Sequence, residues 1–246
     1  DQIEFSINDK INILPSNKIP VNDVSKKHHP ILRNFFDASQ DFNFTLNKQL
    51  KSSLENQVGN YNVNIFDGFR TSSSTAFLKP IKNHPNLKIL TKTEVLKLEY
   101  ENNKISSLKI KYQNKIIIVK PKIGTILSTG AIMTPYLLLK SGIGSSEELK
   151  DFNIPVNLHS PHIGKNLQDH LGLDYLYKTF MTTLNSDLGT WSGRIKSIFR
   201  YLYNRTGPFA LSLNQGGGYI NWKSLDPYPN IQLYFNPLTY SVSYKN

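Results

Sequence analysis

One stretch constrains this chain more than any other: Thr125-Ile126-Leu127 followed by Ser128-Thr129-Gly130-Ala131, then Ile132 to Lys140, then Ser141-Gly142-Ile143-Gly144. It reads as a short buried strand, a small-residue turn and a helix. Pro135 is tolerable only near the start of that helix, and Gly142 and Gly144 stop it. A strand, glycine and helix in this order put free backbone N–H groups and the positive helix end where a polar or anionic ligand can approach. Many αβ units carry a glycine here for packing alone, so both readings stand.

The surrounding pattern is mixed αβ. Residues 1–25, broken by Pro15 and Pro20, read as short strands or extended arms. Pro30 opens a helix carrying Ile31, Leu32, Phe35, Phe36 and Phe42. The Asn-, Ser- and Gln-rich residues 45–68 read as a long surface loop, and Gly68 to Leu78 as a turn into a short helix. Leu87–Leu90 alternates weakly. From Val95, two turns at Asn102-Asn103 and Gln113-Asn114 separate three runs of strand pattern and predict a β-meander. Ser145 and Glu148 predict a capping box. Ser192–Thr206 predicts an amphipathic helix with Ile195, Ile198, Phe199, Leu202 and Tyr203 as its stripe. Ile231–Phe235 reads as a strand, and Gly216-Gly217-Gly218 as a sharp bend or close approach.

Composition narrows the function classes. There is no Cys, so disulfides, CxxC redox pairs and Cys-based zinc sites are excluded. No apolar run reaches the roughly 18–20 residues of a membrane span. The 29 Lys+Arg against 18 Asp+Glu raise nucleic-acid binding, but the basic residues are scattered and lack an aromatic-basic signature. A solvated basic surface is the preferred reading. His159, His162 and His170 beside Asp169 match no helix-based ligand spacing and read as structural rather than metal-binding. No GxSxG elbow, GxxxxGK[ST] loop or strand-borne GxGxxG is present.

Several segments together carry a resemblance. Ser128-Thr129-Gly130-Ala131 through Gly144 resembles the second signature of the glucose–methanol–choline (GMC) flavin oxidoreductases. Ile154-Pro155-Val156 and Gly164-Lys165-Asn166-Leu167-Gln168-Asp169-His170 resemble a further element of that family. Gly68 to Leu78, Asn86 to Val95, Gly217-Gly218-Tyr219-Ile220 and Pro229 to Phe235 follow in the family's order. The flavour is similar to the insect glucose dehydrogenase-like branch. Its secreted members imply secretion here, and Asn43-Phe44-Thr45 and Asn204-Arg205-Thr206 are glycosylation sequons.

The resemblance implies an α/β (α+β) fold: part of an FAD-binding domain with a β-meander, and part of an antiparallel-sheet substrate domain with helices. It places an extended arm or substrate-domain strands at 1–30, FAD-binding residues at 31–165 and substrate-domain residues at 166–246. It implies FAD as cofactor and a small-molecule alcohol as substrate. Val95 matches the residue whose backbone meets the adenine. Thr129, Gly130 and Ala131 match the turn against the cofactor, and Asn166, Asp169 and His170 belong to a loop near the flavin or to its scaffold. Tyr234 sits where many relatives carry a substrate-side His. The family's opening GxGxxG and closing catalytic His are not in these residues, so no catalytic residue is assigned. The chain is expected to be the middle of a longer protein, to bind FAD weakly or not at all by itself and to fold poorly alone. A truncated non-catalytic paralogue and a lyase without net redox are the alternatives.

Overall fold

Pairs of residues with positive φ bend the middle of the chain back on itself. Asn102 and Asn103 (φ 51° and 61°) and Gln113 and Asn114 (φ 49° and 60°) supply the two-residue turns of a hairpin ladder. The computed structural model describes residues 19–48, 50, 55–223 and 227–239. The arm expected at 1–30 lies outside the described residues up to residue 18. In chain order come α1 (Leu32–Gln40), β1 (Thr45–Asn47), β2 (Gln57–Asn60), β3 (Ile65–Phe66) and β4 (Phe69–Arg70). The meander strands β5 (Thr93–Glu101), β6 (Lys104–Tyr112) and β7 (Lys115–Val119) follow. Then come α2 (Gly130–Lys140), β8 (Ile143–Gly144), α3 (Ser146–Asp151) and β9 (Leu158–His159). The last elements are α4 (Leu184–Gly189), α5 (Trp191–Asn204), β10 (Gly216–Ile220) and β11 (Ile231–Phe235). The fold is mixed α/β, as expected. Internal contacts divide the chain into two units, Asp1–His84 with Tyr175–Asn246, and Pro85–Asp174.

The first unit is built on a four-stranded sheet in the order β1-β2-β10-β11. The register pairs Gly217 with both Gly59 and Tyr234, and Tyr219 with both Gln57 and Gln232. One face of this sheet takes α1. Leu32 and Val58 are buried there, and Phe35 stacks on Phe235 at 4.9 Å between centroids. Such a pair contributes about 1 kcal/mol beyond its buried area. The glycines of β10 make a close approach rather than a bend. A Cβ on Gly216 would press on Leu32, and one on Gly217 would meet the Leu233 carbonyl and the Tyr61 ring. His29 N–H donates to Gln215 Oε1 at 2.7 Å and fixes the lead into α1. The segment after β11 is stitched to α4 by Leu184 N–H to Pro237 O and by a reciprocal Asn185–Thr239 pair.

The loop expected over 45–68 instead contains β1, β2 and β3. β1 and β2 are short and largely polar, and β2 takes its second partner, β10, from far along the chain, while β3 is the dipeptide Ile65-Phe66 paired with the adjacent β4, so no local alternation announces them. The Ser192–Thr206 helix forms as α5, capped by Thr190 Oγ1 accepting from Gly193 N–H at 3.1 Å. Its expected stripe is open among the described residues: Ile195, Ile198, Phe199, Leu202 and Tyr203 are all exposed. Tyr201 instead packs edge-on to Phe69, with the Arg205 guanidinium over both rings.

The second unit joins the sheet β5-β6-β7 to α2. Its core is Leu98, Ile110, Leu137, Ile143 and Leu149. Ser141, at the end of α2, is fully buried. Its hydroxyl donates to Leu137 O at 2.6 Å and accepts from Leu98 N–H at 2.9 Å, tying helix to strand. Gly142 (φ 79°) ends α2 as expected, whereas Gly144 lies inside β8, which pairs in parallel with β9.

Three local expectations are corrected here. Residues 125–127 form no strand: among the described residues none pairs with them, and Ile126 is 92% exposed. An apolar run specifies a strand only when a neighbouring strand takes its backbone groups. Residues 87–90 are likewise irregular. The predicted capping box is not made; Ser145 gives no side-chain cap, and Ser146 N–H and Oγ instead bond His159 Nδ1 at 3.1 and 2.8 Å. Glu148 turns to Lys165.

Candidate functional site

The unit Pro85–Asp174 contains seven of the residues singled out from the sequence. Val95 is half-buried in β5, opposite Ile110. A register shift between Val95 and Lys97 interrupts the ladder there, and β5 is an edge strand. A bulge on an edge leaves backbone groups available to a ligand. Leu98 N–H, farther along, is already taken by Ser141.

Thr129, Gly130 and Ala131 sit at the start of α2, all exposed. Gly130 has φ 90°, a conformation that glycine adopts at no steric cost. Nothing lies within 4 Å of the position its Cβ would take. The Thr129 hydroxyl meets Thr134 Oγ1 at 2.9 Å and gives the helix no side-chain cap. The first-turn N–H groups of an eleven-residue helix are thus left for another partner.

Asn166 (φ 56°), Asp169 and His170 lie in an exposed irregular loop. Asp169 Oδ1 accepts the His170 N–H at 2.8 Å. A Cβ on Gly164, just upstream, would lie 3.5 Å from Leu139 and 3.8 Å from Pro135, so the loop begins against α2. One helix therefore touches both the β5 edge and the start of this loop.

Tyr234 stands in the other unit, on β11, 55% exposed. The structure surrounds it with residues that sequence reading passed over. Tyr61 packs on it at 5.5 Å between centroids and donates its hydroxyl to Leu233 O at 2.7 Å. Gln232 Nε2 donates to the hydroxyl oxygens of Tyr61 and Tyr219, each at 3.3 Å. The period of two in β11 puts Gln232 and Tyr234 on one face and was a readable signal. Tyr61 was not readable, because it follows directly on β2, which was itself read as loop.

Burial pushes the Tyr61 phenol up to about 12, with Tyr219 and Tyr234 adding to the effect and the Gln232 hydrogen bond opposing it. A phenol whose folded pKa is raised stabilises the fold fully below its ordinary value near 10. That stability is lost as pH rises from about 10 through about 12. Ultraviolet phenolate titration is therefore expected to show Tyr61 ionising at about 12, with Tyr219 also raised by burial and by the Tyr234 phenol. Unfolding midpoints should fall over the same interval in wild type and stay flatter in Tyr61→Phe.

With the geometry in hand, comparison with known proteins assigns the chain. The sequence profile described as GMC oxidoreductase matches residues 1–172, and the chain belongs to that family. An oxygen-dependent choline dehydrogenase of Staphylococcus saprophyticus is 30% identical over 213 residues, covering 85% of this chain and 37% of the relative. An alcohol dehydrogenase [acceptor] of Pseudomonas putida is 31% identical over 220 residues, 86% of this chain and 39% of the relative. The chain thus spans well under half the length of these relatives. Among solved structures, pyridoxine 4-oxidase from Mesorbium loti is 27% identical with a TM-score of 0.54, covering 58% of this chain and 28% of that one. A formate oxidase of Aspergillus oryzae shares the fold at a TM-score of 0.70 and 22% identity, covering 82% of this chain and 35% of that one.

Proposed function

We propose that this chain is part of an FAD-dependent oxidoreductase that oxidises a small-molecule alcohol at its CH–OH carbon. The observation that carries the reading is the uncapped start of α2 at Thr129-Gly130-Ala131, on the helix whose far end is bonded to β5. Open backbone at a helix start fits the polar and phosphate-bearing parts of FAD. Bound FAD supplies the acceptor for the hydride that leaves the alcohol carbon. Thr129, Gly130 and Ala131 let the cofactor approach the backbone, Val95 offers strand-edge groups to its adenine, and Asn166, Asp169 and His170 flank it. Tyr234 faces the substrate. In this reading residues 31–165 contribute to the FAD-binding domain and 166–246 to the substrate domain, with β2 lending a strand to the substrate sheet. No residue of this chain is assigned as the base that takes the hydroxyl proton.

Among the described residues no helix is long and apolar enough to cross a membrane. Placement in the insect glucose dehydrogenase-like branch, and secretion with it, rest on the sequence resemblance alone; the relatives compared are bacterial and fungal.

Anaerobic addition of primary alcohols to the FAD-loaded product of the complete gene tests the reading. The visible flavin band is expected to bleach. A band that survives a broad alcohol panel contradicts alcohol oxidation and favours the lyase or non-catalytic alternatives.

A further inference from the structure

The face of β2, β10 and β11 turned away from α1 carries an organised aromatic and polar cluster. Gly217 has no side chain, so the Tyr61 ring lies across β10 and packs against Tyr234. The hydrogen bonds then fix what the cluster can still offer. Tyr61 spends its proton on Leu233 O. Gln232 spends its amide N–H groups on Tyr61 and Tyr219. Among the described residues, the Tyr219 O–H proton and Gln232 Oε1 make no hydrogen bond. One donor and one acceptor side by side complement a hydroxyl, whose oxygen accepts one bond and whose proton donates another.

Charge is absent from this arrangement. All four side chains are uncharged; Tyr61 is shifted by burial, the Gln232 hydrogen bond and the Tyr219 and Tyr234 phenols, and Tyr219 by burial and the Tyr234 phenol, with no carboxylate or cation contributing. Tyr234 keeps more than half its surface open beside this pair.

We infer that Tyr61, Tyr219, Gln232 and Tyr234 form a specificity wall that selects an uncharged aromatic alcohol. The substrate ring stacks on Tyr234, and its alcohol hydroxyl accepts from the Tyr219 O–H and donates to Gln232 Oε1. Tyr61 positions both groups through Gln232 and by ring packing. This rests on the alcohol-oxidising reading and adds the substrate class to it.

Equilibrium binding of benzyl alcohol, cyclohexylmethanol and choline to the complete gene product tests it. Benzyl alcohol is expected to bind about tenfold more tightly than cyclohexylmethanol, which has the same size without the π face. Tyr234→Leu should erase that preference. Tyr219→Phe should weaken both alcohols by about fivefold to tenfold and keep the preference. Choline binding most tightly overturns the inference, as does a preference untouched by Tyr234→Leu. The wild-type order of the three alcohols decides the matter even where a variant does not fold. Binding is read without turnover, so aromatic preference without flavin bleaching counts against alcohol oxidation alone. Bleaching without aromatic preference counts against the wall alone.

Discussion

Gly217→Val is expected to destabilise the first unit by about 3 kcal/mol, at the upper end for overpacking a filled site. A Cβ there meets the Leu233 carbonyl of β11 and comes within 2.8 Å of the Tyr61 ring. The carbonyl belongs to a sheet backbone and cannot swing aside. The same substitution drives Tyr61 off β10, so the phenol cluster should go with the sheet. Gly172→Ala is the matched control, since nothing lies within 4 Å of its added Cβ. Its cost should stay within about 0.5 kcal/mol. Urea unfolding followed by tyrosine fluorescence compares the two. Equal midpoints would show that β10 does not make the close approach described.

Leu98→Ala is the second large effect, about 2–5 kcal/mol. Leu98 is 0% exposed in β5, and its N–H is held by Ser141 Oγ, so the cavity left behind cannot easily collapse. Ile118→Ala on β7, where the side chain is 52% exposed, should cost under about 1 kcal/mol. Chemical denaturation distinguishes them. Because Leu98 sits where α2 joins β5, the loss should also weaken FAD retention in the complete protein. A stable Leu98→Ala protein would mean that the helix and strand are not coupled through this core.

The elements legible in the sequence are those specified within a few residues. Asn102-Asn103 and Gln113-Asn114 announce the meander because side chains of this type tolerate positive φ. β11 shows its period of two, and α5 its helical stripe. The elements missed are specified from a distance. Gln57 is fully buried although polar, because it enters a sheet whose next strand holds Tyr219. The opposite error occurs at 125–127, where the residue types fit a strand and no described strand accepts them. The capping box at Ser145 failed for a third reason: Glu148 pairs with Lys165 instead of turning back to Ser145, while His159 of β9 bonds Ser146 at the helix start.

The candidate site divides in the same way. Gly130 and Gly142 were readable from the sequence, and their positive φ values agree with the turn and stop expected there. Tyr234 was singled out by the resemblance, which aligns it with a substrate-side His of many relatives, and not by any local pattern. Tyr61 and Tyr219 acquire meaning only when β2 and β10 are aligned, so their hydrogen bonds to Gln232 could not be foreseen.

The proposed arrangement puts FAD at the start of α2 and substrate selection on the β10–β11 face. It is tested most directly by titrating the complete gene product with FAD and following flavin fluorescence, in wild type, Ala131→Trp and Tyr234→Leu. Ala131→Trp is expected to weaken FAD binding by about tenfold or more, by filling the space the cofactor needs, while Tyr234→Leu is expected to bind FAD as wild type does. Wild-type FAD affinity in Ala131→Trp would contradict it.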